Sequence, residues 1–125
     1  MPESTFVLKL SDNADIIAEL EKLAREKEIS YGLFVDAVGK LKSFELIGNG
    51  PKGSIEKLKS DESFQVNAVS GKIQKAPNGK PSIYMRISIT KSGFTPRAGQ
   101  LISGKASESL EIGVRKVDIK KIIGA

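Results

Sequence analysis

The sequence predicts an α+β protein in which a mostly antiparallel, roughly seven-stranded twisted sheet packs against one main helix at about residues 14–27. Three observations lead there. Ile83, Met85, Ile87 and Ile89 alternate without a break against Tyr84, Arg86, Ser88 and Thr90, and a side-chain period of two puts the first set in a core and the second on the opposite face of a sheet. A single stretch shows the 3.6-residue stripe of an amphipathic helix. The remaining apolar runs are short and mostly joined by short links, which suits hairpins better than long crossovers.

Taken in order, Thr5–Leu10 alternates Phe6, Leu8 and Leu10 against Val7 and Lys9 and reads as a strand. Ser11, Asp12 and Asn13 form a cluster of N-cap residues, with Asp15 in the first turn of the helix that follows, where a carboxylate suits the positive end of the helix dipole. The helix is expected from Ala14 to Lys27, with Ile16, Ile17, Leu20, Leu23 and Ala24 inward and Glu19, Glu21, Lys22, Arg25 and Glu26 in solvent. Strands are then expected at Tyr31–Val38 and Leu41–Ile47, separated by a tight turn at Gly39-Lys40. Residues 48–53, rich in Gly, Asn and Pro, form a loop. A short strand at Ile55–Leu58 and a long one at Ser63–Ile73 follow, and Asn78-Gly79 turns the chain into Ser82–Thr90. After a loop over Ser92–Gly99 come Gln100–Ser103 and Leu110–Val117, and the tail Lys116–Ile122 reads as an edge or fraying element.

At 125 residues the chain is expected to be one domain, 1–125, able to bury a modest core without covalent staples. With no Cys it has no disulfides or thiolate chemistry, and it suits a reducing compartment. The first residues lack a basic start followed by an apolar stretch, and no apolar run approaches the ~20 residues of a spanning helix, so a cytoplasmic location without membrane contact is expected. Twenty Lys and Arg against fifteen Asp and Glu give a net charge of +5, a mild attraction toward polyanions.

Catalytic patterns are thin. Gly99–Ala106 has the G-x4-G-K spacing of a phosphate loop but ends on Ala106 where magnesium binding needs Ser or Thr. The absence of His rules out a Ser-His-acid or Cys-His arrangement, and zinc loses both of its commonest ligand types. Asp36, Glu45, Glu108 and Glu111 are isolated by spacing, and no loop carries the run of acids that holds a hard cation. Neither a catalytic residue, a metal nor a cofactor is expected. The sheet lacks the paired aromatics that stack bases. Phe94, with Lys91 and Arg97 nearby, is either an exposed aromatic or a loop anchor packed inward.

Several stretches in fixed order resemble the PPC (plants and prokaryotes conserved) domain family. They are Phe6–Leu23, the Ala37–Leu41 turn with its following strand to Gly48, Phe64–Ile73, Gly79-Lys80-Pro81 leading the next strand, Ala98–Leu101, and Glu111-Ile112. The resemblance implies an antiparallel sheet with flanking helices, assembled as a homotrimer, on a fold similar to acetolactate decarboxylase. Many prokaryotic members carry an H-x-H pair after G-K-P and a third His in a G-G-H-L segment, a trio able to hold a metal. In this sequence Tyr84, Arg86 and Gln100 stand at those positions. Arg86 is a permanent cation that cannot ligate a metal. A cleft there, built from Tyr84, Arg86 and Gln100 with Arg97 as neighbour, would suit a small anionic ligand, whereas Arg86 paired across strands with an acid such as Glu111 would be structural.

The plant proteins read A/T-rich minor grooves with an Arg-Gly-Arg-Pro hook, which Pro96-Arg97-Ala98 does not match, and their G-R-F-E-I-L contact segment reads Glu62–Asn67 here. What the resemblance implies is a non-catalytic, homotrimeric binding module, a DNA-associated regulator that meets DNA through non-specific phosphate contacts. The alternative it leaves is a small-anion or metabolite sensor.

Overall fold

A computed structural model describes residues 4–91, 93 and 95–118. Phe94 and the end of the tail lie outside that set. The elements are β1 (Ser4–Ser11), α1 (Ile16–Glu26), β2 (Tyr31–Asn49), a 3-10 turn (Pro51–Gly53), β3 (Ile55–Ser60), β4 (Phe64–Lys75), β5 (Pro81–Thr90) and β6 (Arg97–Lys116). The fold is α+β, with six described strands in one antiparallel sheet of order β1-β6-β5-β4-β2-β3. Because β6 also pairs with β2, the strands β2, β4, β5 and β6 close a ring, and β1 and β3 are flaps on its two longest members.

The described strands number six, against roughly seven expected, because the eight segments that read as strands are joined at two places, where a bulge takes the place of an expected break. Gly39-Lys40 does not turn the chain. The register against β6 slips there, from Gly39 opposite Leu110 to Lys40 opposite Ser107. Gly39 has φ +134, and a Cβ on it would lie 2.4 Å from the Ser109 carbonyl oxygen. The glycine lets two backbones meet inside a continuous strand, a use its sequence context shares with a hairpin turn. On the facing strand Glu108 has φ +64, and its amide donates to Asp12 Oδ1 at 2.7 Å while Lys42 Nζ donates to the same oxygen at 3.1 Å. Asp12 therefore holds the bulge of β6, and Gln100–Ser103 and Leu110–Val117 are the two ends of one strand. The Gly99–Ala106 segment with phosphate-loop spacing lies within that strand.

The helix is shorter than expected and begins one residue after Asp15, whose side chain, instead of the Ser11–Asn13 cluster, caps it by accepting from the Ala18 amide at 3.0 Å. Residues 13–14 are tied instead to β6, with Asn13 N donating to Ala106 O and Ala106 N to Ala14 O, both at 2.9 Å. Ile16, Leu20, Leu23 and Ala24 are buried against β5, β6 and β1, while Ile17 is half-buried at the margin. Each fully buried Leu or Ile contributes about 1.5–3 kcal/mol over leaving it in water. The core continues through Leu41, Ile73, Met85, Ile89, Ile112 and Val114 on the inner face of the ring. Among the described residues no helix is long and apolar enough to cross a membrane.

Candidate functional site

Strand β5 delivers the expected division. Met85, Ile87 and Ile89 are buried, and Tyr84, Arg86, Ser88 and Thr90 lie on the outer face. The turn that feeds it is the expected one, with Ala76 and Lys80 paired across Asn78-Gly79 through Ala76 N to Lys80 O at 2.8 Å. Register then fixes the neighbours. Arg86 lies opposite Ser70 on β4 and opposite Gln100 on β6. Gln100 lies opposite Ile47 on β2, and Ile47 opposite Lys57 on β3. One outer row thus crosses five strands as Ser70, Arg86, Gln100, Ile47 and Lys57. Tyr84, one step along β5, faces Lys72 of β4, which in turn faces Leu33 of β2.

Tyr84, Arg86 and Gln100 are therefore brought together on one face. Arg97 is not. It pairs with Ile89, so alternation sends it toward the inner side, where it lines two depressions of about 250 and 410 Å³ beside Leu58. Glu111 sits between Lys9 of β1 and Val38 of β2, away from β5, and does not reach Arg86. Among the described residues Arg86 makes no ion pair or side-chain hydrogen bond. It borders a depression of about 180 Å³ whose other walls include Ala68, Ser70, Ser88 and Ala98. The small neighbours leave the guanidinium open to an incoming acceptor, and its fork matches a carboxylate or phosphate edge.

The charge around this face is lopsided. Between Glu62 and Glu108 the chain contains no Asp or Glu and seven Lys or Arg, so the remaining residues, with thirteen cations against fifteen acids, are slightly acidic. That stretch is β4, β5 and the first half of β6. Of its seven cations only Lys91 is in an ion pair among the described residues, with Glu62. The other ion pairs, Lys40–Glu108, Lys42–Asp12 and Lys59–Glu45, lie elsewhere. Whole-chain net charge conceals this segregation, which counting acids along the chain would have found.

A second feature escapes strand-by-strand reading. Tyr31 on β2 lies opposite Gln74 of β4, on the same outer face as Tyr84. Lys72, on the strand between them, places Nζ 5.7 Å from the Tyr31 ring centroid. Tyr31 and Tyr84, 53 positions apart in the chain, share one face only through the pairing of β2, β4 and β5, and they stand two strands apart rather than as a ring pair. The arrangement offers positive charge, hydrogen-bond donors and flat apolar surface. Among the described residues no three His, Cys, Asp or Glu stand close enough to hold a metal ion.

Comparisons with known proteins agree with this fold. A family profile described as the Plants and Prokaryotes Conserved (PCC) domain matches residues 1–118. A metal-containing protein from Archaeoglobus fulgidus superposes with TM-score 0.79 at 21% identity, covering 92% of this chain and 80% of its own. A plant- and prokaryote-conserved protein from Pyrococcus horikoshii gives TM-score 0.78 at 16% identity, over 95% and 82% of the two chains. A Bacteroides thetaiotaomicron protein described as a candidate DNA-binding protein gives 0.77 at 19%, over 90% and 78%. Each likeness is one of fold. No curated protein sequence matches significantly.

Proposed function

The chain belongs to the Plants and Prokaryotes Conserved (PCC) domain family, and from that premise we propose that it is a non-catalytic binding module, a cytoplasmic DNA-associated regulator that contacts phosphates through the outer face of β4, β5 and β6. The observation that carries this reading is the stretch between Glu62 and Glu108, which contains seven cations and no acid and sets Lys72 and Arg86 on the outer face. Lys57, Lys72 and Arg86 share the outer face and are free of ion pairs among the described residues. Cations so arranged release condensed counterions when they meet a phosphate chain, and that release drives binding without reading sequence. The name of the Bacteroides relative supports DNA as the polyanion. Among the described residues no three His, Cys, Asp or Glu cluster at the face, and the reading takes its chemistry to be recognition.

The reading includes a homotrimer of the single domain 1–125. Its support is the family resemblance, the flaps β1 and β3, each paired on one side only among the described residues, and the valines Val7 on β1 and Val35 and Val38 on β2, which are 59%, 49% and 62% exposed. Unpaired edges and clustered valines are what self-association covers. A labelled DNA duplex titrated by fluorescence anisotropy at low and moderate salt tests the function. Binding that weakens steeply with salt is expected, and no binding at about tens of micromolar in low salt ends the DNA reading.

A second reading has its own observation. The open guanidinium of Arg86, bordered by Ser70, Ser88 and Ala98 and facing Gln100, fits a small carboxylate or phosphate. A ligand that binds only the folded protein raises its melting temperature. A stabilising anion whose effect survives in Arg86→Ala rules that site out.

A further inference from the structure

We propose that the outer face prefers single-stranded nucleic acid over duplex, with bases stacked on Tyr84 and Tyr31 and phosphates held by Lys72 and Arg86. The proposal rests on the phosphate-binding reading above and goes beyond it by naming the form of the ligand. Tyr84 is 40% exposed and has no side-chain hydrogen-bond partner among the described residues, so an apolar ring is left facing water on a sheet. Every outward position in register around it is uncharged or cationic: Ser82 and Arg86 along β5, Lys72 and Gln74 across on β4. Tyr31 completes the surface from the far side of β4.

The two rings are separated by two strand spacings and one two-residue step, about 12 Å between backbones from ordinary sheet dimensions. A flexible strand can bridge that gap with intervening nucleotides, laying one base on each ring. A duplex cannot, because its base faces are already covered by the pairs above and below. Stacking of this kind tolerates any base, and cations beside the rings track the backbone. The ammonium of Lys72 lies over the Tyr31 ring; a base stacking there displaces it from the ring face, and its flexible stem lets it reach the flanking phosphate. Charge alone would favour the duplex, whose phosphates are denser, so a preference for the single strand isolates the contribution of the rings.

The test uses the assembled full chain and three labelled probes of equal length: oligo-dT, oligo-rU and a mixed-sequence duplex. The single strands are expected to bind at least tenfold more tightly than the duplex. Tyr84→Ala should weaken single-strand binding at least about fivefold and leave duplex binding unchanged, while Tyr84→Phe retains it. Arg86→Gln should weaken both. The dT and rU arms tell DNA from RNA as the source of the strand. Equal affinity for duplex and single strand, or a Tyr84→Ala variant with wild-type single-strand affinity, overturns the inference while leaving phosphate binding intact. Failure of all three probes overturns both readings. Light scattering on Tyr84→Ala checks that the assembly is unchanged; a drop in mass means that a second copy of the chain covers this face, and the inference falls.

Discussion

Neutralising Arg86 probes the face with a magnitude that can be worked out in advance. Lys57, Lys72 and Arg86 point outward and none is ion-paired among the described residues. If each engages one phosphate of a single strand, the logarithm of affinity falls with the logarithm of salt at a slope of about −0.7 per contact, or about −2.1 for three. Between 50 and 200 mM salt that is a loss of roughly 18-fold. Arg86→Gln keeps the side chain's polarity and much of its length, removes one contact, and should reduce the slope to about −1.4, a loss of roughly sevenfold over the same range. With a duplex the slopes are about −2.7 and −1.8 for the same contacts. The assay is anisotropy of a labelled oligonucleotide at four salt concentrations. Arg86 occupies an outer position with no ion pair among the described residues, so the melting temperature should not move. A variant slope equal to wild type would show that Arg86 touches no phosphate and that the face lies elsewhere. A wild-type affinity indifferent to salt would refute the electrostatic reasoning altogether.

Two further outcomes concern the frame beneath the face. Gly71 lies opposite Met85 with φ +117, and a Cβ there would sit 2.0 Å from the Tyr84 carbonyl oxygen. Gly71→Ala must therefore part β4 from β5, and urea unfolding should show a loss of at least about 2 kcal/mol together with weaker oligonucleotide binding; a change within about 0.5 kcal/mol would mean that the strands do not meet so closely. The Asp12 carboxyl is held below its ordinary range, first by the hydrogen bond from the Glu108 amide and then by the one from Lys42. Its folded pKa being the lower one, the unfolded chain binds more protons in that range, and the stability Asp12 lends is present above about pH 4 and lost as pH falls through the folded value. Melting temperature followed from pH 6 to pH 2 should fall less steeply in Asp12→Asn, and identical curves for both proteins would remove Asp12 from the acid response.

Much of the frame was legible because strands and helices write their periods locally. The alternation of β5 and the stripe of α1 need only neighbours in sequence, and both faces came out as read. Gly39-Lys40 was misread because a glycine between two apolar runs serves a hairpin turn and a bulge equally well. The choice depends on Ser109, seventy residues away, whose carbonyl needs the space. Arg97 joins the expected site as a chain neighbour of Gln100, yet both lie on β6, where alternation puts residues three apart on opposite sides. Arg86 and Gln100 were joined through family resemblance, and register brings them face to face. Tyr31 and Lys72 could not be found that way, since their meeting with Tyr84 depends on which strands become neighbours. The acid-free run was present in the sequence but hidden by averaging charge over the whole chain.

The central claim is that recognition takes place on the acid-free outer face of β4, β5 and β6. Amide chemical shifts recorded while an oligonucleotide is titrated into isotopically labelled protein test it most directly. The account predicts changes concentrated at Ser70, Lys72, Tyr84, Arg86, Ser88 and Gln100, with α1 and β1 silent. Saturable binding that instead moves α1 or β1 and leaves β5 unperturbed would contradict it.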